Sequence, residues 1–228
     1  MTGHANLIVF VKSPRPGHVK RRLAAGLGPV HAARVYRGLV ATLLRRLAGG
    51  PAWRRFVFIA PAPGADRRLG RWHPAFRRRR QSGGDLGDRM RGAFRQMPPG
   101  PSLLIGSDIP GVERHHLAAA LAKLRHADAV FGPAPDGGYW LVGFRRRPVA
   151  HGIFKNVRWS GPDALADSVR SLPPAMRVAK AATLRDIDDL ADWRAWQARR
   201  RQAGGQLALR ARWCSRRRGM ISTKLHGR

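Results

Sequence analysis

Ser102-Leu103-Leu104-Ile105-Gly106-Ser107-Asp108-Ile109-Pro110 decides how this chain is read. Residues 102–106 form a short apolar run. Its length and content suit a strand buried on both faces, which is the habit of parallel sheets. The run stops at Ser107-Asp108, and Pro110 then bars a central strand or helix interior. In open α/β sheets ligands sit outside the carboxyl ends of the strands. Asp108 therefore reads as an acid held at the mouth of a crevice. The competing reading is that it caps the helix near residue 113, for which it lies rather far upstream.

Working outward, apolar runs and helical spacing alternate. Ala5 to Val11 reads as a first buried strand, followed by a loop, Lys12 to Gly17, with two prolines and a glycine. Ala32, Val35, Tyr36, Leu39, Val40, Leu43 and Leu47 predict a helix over about 29–48. Phe56 to Ala60 reads as a second strand, with Pro61 to Gly64 as the loop after it. The run Arg77 to Arg80 gives no clear structural signal. Asp85 to Met97 and Glu113 to Leu124 read as helices. Ala127 to Phe131 and Tyr139 to Phe144 read as strands. Ser160 and Asp163 have capping-box spacing at a helix start. Met176 to Ala179 reads as a short strand, and Asp188 to about Arg201 as a last helix. Alternation of this kind predicts an α/β fold: helices on both faces of one sheet.

The chain has 228 residues, of which 43% are hydrophobic, enough for one large domain. We expect that domain over 1–203 and a basic C-terminal tail over 204–228. Gln197 to Arg228 holds no acid and ten basic residues. Cys214 is the one cysteine, which excludes an internal disulfide and a cysteine-rich metal site. No apolar stretch is long enough to span a membrane, and the chain reads as cytoplasmic.

The formal net charge is +31, from 44 Lys and Arg against 13 acids. Only six of the cations are Lys. They are scattered along the chain, not striped on one element, which points to a compositional bias more than to a nucleic-acid reader. Non-specific adhesion to nucleic acid through the basic surface and tail is expected all the same.

In a chain so poor in acids, the placement of the aspartates is informative. Five segments carry chemistry. The stiff loop Lys12 to Leu23, with Lys12, Pro16, Gly17, Lys20 and Arg22, can wrap phosphates through ammonium charges, guanidinium forks and backbone N–H groups; a solvated basic loop is the alternative. Gln81 to Met90 holds Gly84, Asp85 and Arg89, where glycines permit close approach to a ligand and Asp85 or Asp88 can instead cap a helix. Ser107 and Asp108 form the third segment. A hard oxygen ligand there suits Mg²⁺ or Mn²⁺ bridging to substrate phosphates. Asp136-Gly137-Gly138-Tyr139 suits an acceptor pocket, or simply a hairpin turn. Four acids crowd a helix start at 186, 188, 189 and 192, more than capping needs, so Asp186 and Asp188 are candidate metal partners of Asp108.

Taken together and in order, these segments resemble one bacterial family, the radical-SAM/selenodomain-associated transferase 1 proteins, grouped with nucleotide-diphospho-sugar transferases of GT-A fold. The pattern Lys-x-Pro-x-Pro-Gly-x-Val-Lys-Thr-Arg-Leu, Gly-Asp-Leu-Gly-x-Arg-Met, Gly-x-Asp-x-Pro, Gly-Pro-x-x-Asp-Gly-Gly-Tyr and Asp-x-Asp spans roughly residues 5 to 197. One departure stands out: the pattern's Thr is Arg21 here. The resemblance implies a GT-A or Rossmann-like three-layer α/β/α fold with a mostly parallel mixed sheet. It implies that Asp108, Asp186 and Asp188 hold the metal, and that Lys12, Lys20 and Arg22 bind nucleotide phosphates. Asp136 and Tyr139 would line the acceptor side. The family is also similar to guanylyltransferases of molybdenum-cofactor and 2-phospho-lactate-dependent coenzyme biosynthesis.

Two reactions are thus expected to compete. One is glycosyl transfer from a nucleotide-sugar to a small-molecule acceptor, with Asp136 as base. The other is nucleotidyl transfer from an NTP to a phosphorylated acceptor, with Lys20 and its neighbours carrying transition-state charge. Nucleic-acid binding is a third and weaker expectation.

Overall fold

The computed structural model describes residues 4–49, 53–60, 73–146 and 152–202. Seven strands form one sheet: β1 Asn6–Val11, β2 Arg54–Ile59, β3 Arg77–Arg80, β4 Ser102–Ile105, β5 Ala129–Pro133, β6 Tyr139–Phe144 and β7 Val178–Lys180. Their order is β3-β2-β1-β4-β6-β5-β7. All neighbours run parallel except β6, which is antiparallel to both β4 and β5. The helices are α1 Arg21–Leu27, α2 Pro29–Ala48, α3 Leu86–Arg95, α4 Arg114–Lys123 and α5 Ala164–Arg170, with α6 over 190–202.

Side chains alternate across a strand, so a strand buried on both faces must be apolar throughout. In β1, Leu7, Val9 and Val11 point into one core with Tyr36, Val40 and Leu43 of α2 and Leu117 of α4. Ile8 and Phe10 point into a second core with Met90 and Phe94 of α3 and Ala164 of α5. The sheet is therefore the middle layer of three, the GT-A or Rossmann-like arrangement expected from the sequence. Each fully buried aliphatic or aromatic side chain contributes about 1.5–3 kcal/mol relative to exposure.

Two local readings are corrected, and one segment without a clear signal gains a structure. Residues 21–27 form a helix that spacing alone did not reveal. It is short, only Leu23 in it is buried, and it is parted from α2 by Gly28 at φ 77° with Pro29 at the first helical position. The Arg77 to Arg80 run is the edge strand β3, exposed at all four positions and paired with β2. Its pairing comes from tertiary context, and its charges suit an edge that must not recruit another chain. The Ser160–Asp163 capping box does not form. Ser160 takes a left-handed φ of 65°, while Asp163 is itself the residue preceding α5, with no capping hydrogen bond. The Asp163 carboxylate instead pairs with Arg158 at 2.8 Å. The proposed tail over 204–228 and the loop Pro61 to Gly64 lie outside the described residues. Among the described residues no helix is long and apolar enough to cross a membrane.

Candidate active site

The carboxyl ends of β1, β2 and β4 open into a cavity of about 630 Å³, within the size range of small-molecule sites. Its cationic lining is Lys12, Lys20, Arg21, Arg22 and Arg89; its acidic lining is Asp108, Asp136 and Asp188. The floor includes Phe10, Tyr36, Gln81 and Ser107.

Asp108 is held from several sides. Ile109 and Val112, just beyond it, are buried in the core. Arg46 of α2 donates to the carbonyls of Pro110 and Val112 at 2.7 and 2.8 Å, clamping the loop. The Asp108 carbonyl accepts from the Ile187 N–H at 3.0 Å, which brings the segment 186–188 alongside. Gly26 makes the other half of that docking possible. A Cβ there would lie 2.7 Å from Leu190, so α1 can press against the start of α6. The acids of 186–188 are thereby carried to the mouth of α1.

The cations meet them there. The Lys20 ammonium donates to Asp108 Oδ2 at 2.7 Å and lies 3.7 Å from Asp188 Oδ1. Arg22 donates to Asp188 Oδ2 at 2.9 Å. Lys20 is only 5% exposed, whereas Asp108 is 34% and Asp188 46% exposed. Asp186 is half-buried behind them. Burial, reinforced by the charges of Asp108, Asp136 and Asp188 and opposed by Lys20, pushes its carboxyl up to about 6. Four carboxylates therefore share one electrostatic neighbourhood, a sign of a functional cluster.

The remaining acids of the helix start have local work. Asp189 Oδ1 accepts from the Asp192 N–H at 2.9 Å, and Asp192 Oδ2 accepts from the Asp188 N–H at 3.1 Å. Capping thus consumes Asp189 and Asp192 and leaves Asp186 and Asp188 for the site.

Other expected residues fall elsewhere. Asp85 caps α3, accepting from the Asp88 N–H at 2.8 Å, while Asp88 accepts from the Asp85 N–H at 3.2 Å. The Asp88 N–H holds the Asp85 carboxyl below its usual range. The cavity lining does not include Asp85, Gly84, Pro16, Gly17, Gly137 or Gly138. The Asp136-Gly137-Gly138 stretch is the β5–β6 hairpin turn, with Asp136 Oδ1 accepting from Gly138 N–H at 3.0 Å. Gly137 has φ 84°, and a Cβ would strike the Pro162 carbonyl at 2.0 Å, so no other residue fits.

Tyr139, expected on the acceptor side, is turned into the core instead. Its hydroxyl accepts from Ser168 at 3.1 Å, and its ring meets Phe131 edge-on at 5.1 Å. It stands where the β5–β6 register shifts, and it packs against the same core as Val142 and Phe144.

Sequence spacing also passed over groups that the cavity uses. Tyr36 was read only as an apolar helix position. Its oxygen accepts from the Lys12 N–H at 2.9 Å and shares a 2.8 Å hydrogen bond with Ser107 Oγ. Burial pushes its phenol up to about 12, so it remains protonated as a strut between the two ligand-side loops. Gln81 is buried and donates to the Phe58 carbonyl at 3.0 Å, closing the end of β2. The signal was available in each case: a polar tip within an apolar face, and an amide ending a run of arginine.

The donor set fits a divalent cation in kind, because it consists of hard carboxylate oxygens that crowd one another. Among the described residues, however, no group of three acids or histidines is arranged as a ready-made metal cluster. The ammonium of Lys20 stands between Asp108 and Asp188 instead.

Comparison with known proteins finds the same fold in proteins of related sequence and beyond. A protein from Desulfovibrio desulfuricans G20, described as a candidate nucleotide-diphospho-sugar transferase, is 30% identical. The match covers 83% of this chain and 84% of that one, with a TM-score of 0.70. A manganese complex of a Mycobacterium tuberculosis H37Rv protein matches with TM-score 0.51 at 17% identity, covering 85% and 97% of the two chains. The 4-diphosphocytidyl-2C-methyl-D-erythritol synthase of Anaerococcus prevotii matches with TM-score 0.54 at 9% identity, covering 82% and 92%. These last two speak for the fold alone. No curated protein sequence matches. Residues 43–161 match the family described as uncharacterized protein conserved in bacteria (DUF2064), and the chain belongs to that family.

Proposed function

We propose that the chain is a transferase that takes a nucleotide-diphosphate ligand, with glycosyl transfer from a nucleotide-sugar to a small-molecule acceptor as the favoured reaction. One observation carries this reading. A cavity of nucleotide size is lined by Lys12, Lys20, Arg21 and Arg22 together with Asp108, Asp136 and Asp188. Cations facing acids at the ends of parallel strands suit a polyphosphate bound against a divalent cation. The 30% identity to a candidate nucleotide-diphospho-sugar transferase supports the same class, as does the ordered resemblance to the radical-SAM/selenodomain-associated transferases.

In this reading the roles divide by chemistry. Lys12, Arg21, Arg22 and Arg89 hold the diphosphate, and Lys20 carries charge as the leaving group departs. Asp108 and Asp188, with Asp186 behind them, would hold Mg²⁺ or Mn²⁺, which when bound neutralises the leaving diphosphate. A manganese complex in a protein of the same fold is consistent with that choice of ion. Asp136, which also lines the cavity, accepts a proton from the acceptor hydroxyl. Tyr36 and Ser107 keep the Lys12 and Asp108 loops in register. Domain limits of 1–203, with a basic tail at 204–228, complete the proposal.

Nucleotidyl transfer from an NTP is the second reading. The cationic loop favours it, since a phosphorylated acceptor needs no base. Thermal-shift titration with UDP- and GDP-sugars and with NTPs, each with Mn²⁺, separates the two. Stabilisation by the nucleotide-sugars and not by NTPs is expected; the reverse pattern selects the second reading, and no shift with either class removes both.

A further inference from the structure

We propose that Lys20 and a divalent cation are alternative occupants of the same carboxylate pair, so that metal and diphosphate enter the site by exchanging partners. This rests on the reading of the cavity as a nucleotide-diphosphate site. The residues expected to hold metal and those expected to hold phosphate are not waiting apart: they neutralise each other. Lys20 bridges Asp108 and Asp188 at 2.7 and 3.7 Å, and Arg22 takes the other oxygen of Asp188 at 2.9 Å.

The Lys20 ammonium has little water to solvate it, its side chain being 5% exposed. A desolvated ammonium needs an anionic partner. A divalent cation drawn to the same two carboxylates would face this fixed positive charge at contact distance, where repulsion is strong. Metal alone must therefore compete with Lys20. A diphosphate alone must likewise draw Lys20 and Arg22 away from Asp108 and Asp188, stranding two carboxylates. When both arrive, every charge keeps a partner: phosphate oxygens replace carboxylates around the cations, and metal replaces the cations around the carboxylates.

The backbone around Lys20 fits a side chain that is held in place. Lys20 has φ 49°, a left-handed conformation that non-glycine residues rarely adopt, and it sits immediately before α1. That conformation starts the helix that presents Arg21 and Arg22 to the cavity.

The exchange makes predictions of unusual sign, because removing a site residue should tighten a ligand. Mn²⁺ is titrated into the full-length protein without nucleotide, and the free ion is read by electron paramagnetic resonance. Lys20→Met is expected to bind Mn²⁺ about tenfold more tightly than wild type, inside the usual range of coupling between linked ligands. Lys20→Arg, which keeps the cation, should stay near wild type. In the reciprocal measurement, pyrophosphate is titrated calorimetrically in the presence of EDTA. Asp108→Asn, which frees Lys20, is expected to bind it about tenfold more tightly than wild type.

Unchanged or weaker Mn²⁺ binding by Lys20→Met overturns the proposal, as does unchanged or weaker metal-free pyrophosphate binding by Asp108→Asn. Should Lys20→Met not fold, the Asp108→Asn arm decides. If both variants tighten their ligand while nucleotide-sugars and NTPs leave wild type unstabilised, the exchange stands and the transferase reading falls.

Discussion

Two helices of this protein begin in a cluster of aspartates, and the clusters do different things. At the start of α3, Asp85 and Asp88 exchange N–H hydrogen bonds at 2.8 and 3.2 Å, their other partners are Trp159 and Arg91, and neither lines the cavity. Ahead of α6, Asp189 and Asp192 do the local hydrogen bonding, while Asp186 and Asp188 are left to join Asp108 and Asp136. The residue types are the same, and so is the local rule that favours acids at a helix start. The difference is where the helix begins. The start of α6 is tied by the Ile187 N–H to the Asp108 carbonyl at the end of β4, and it packs on α1 through Gly26. That position brings the surplus acids to the candidate site.

The sharpest way to break the comparison is to remove acids on the site side. With a nucleotide-sugar and Mn²⁺, Asp108→Ala or Asp188→Ala is expected to lower the transfer rate by about 10²–10³-fold, the size of effect seen when one electrostatic stabiliser is lost. Steady-state kinetics measures it. A residual rate within a few-fold of wild type would remove these two acids from the machinery.

On the capping side the effect is on stability. Asp85→Ala should cost about 1 kcal/mol in chemical denaturation, the ordinary worth of an N-cap, and Asp189→Ala should cost a similar amount. If Asp189→Ala were neutral, α6 would not be capped as described and the parallel between the two helix starts would fail.

The smallest effect has the opposite sign. The Asp186 carboxyl is pushed up to about 6 in the folded protein, from an ordinary value near 3.8. The folded state therefore binds this proton more tightly than the unfolded chain. Its contribution to stability is fully present below about pH 4 and is lost as pH rises through about 6. Asp186→Asn, neutral throughout, is expected to melt roughly 1–2 °C above wild type at pH 7.5 without metal, allowing for solvent screening of a half-exposed group. The gap should close below pH 4. Melting curves across that range check it, and an equal gap at both ends would show that the gain has nothing to do with ionisation.

Legibility followed the same division. β1, β4, β6 and α2 could be read from apolar runs and helical spacing because burial dictates residue type directly. β3 could not, since its four exposed arginines gain strand geometry only from pairing with β2. α1 was hidden because only Leu23 in it is buried. In the site, Asp108, Asp136 and Asp188 stood out as rare acids in a basic chain, and all three line the cavity. Tyr139 was misplaced because a turn motif does not say which way the first strand residue points. Tyr36 was missed because its polar atom lies at the end of an otherwise apolar side chain.

By itself the sequence determined the layered fold and singled out the acids that the structure brings to one cavity. These follow from burial and backbone restriction, which act locally and leave their mark on composition. Only the tertiary structure decided which charge faces which. Lys20 and Asp108 are 88 residues apart, and Arg22 and Asp188 are 166 apart. An ion pair depends on distance in space, and the sequence does not record the packing that brings α1, β4 and the start of α6 together.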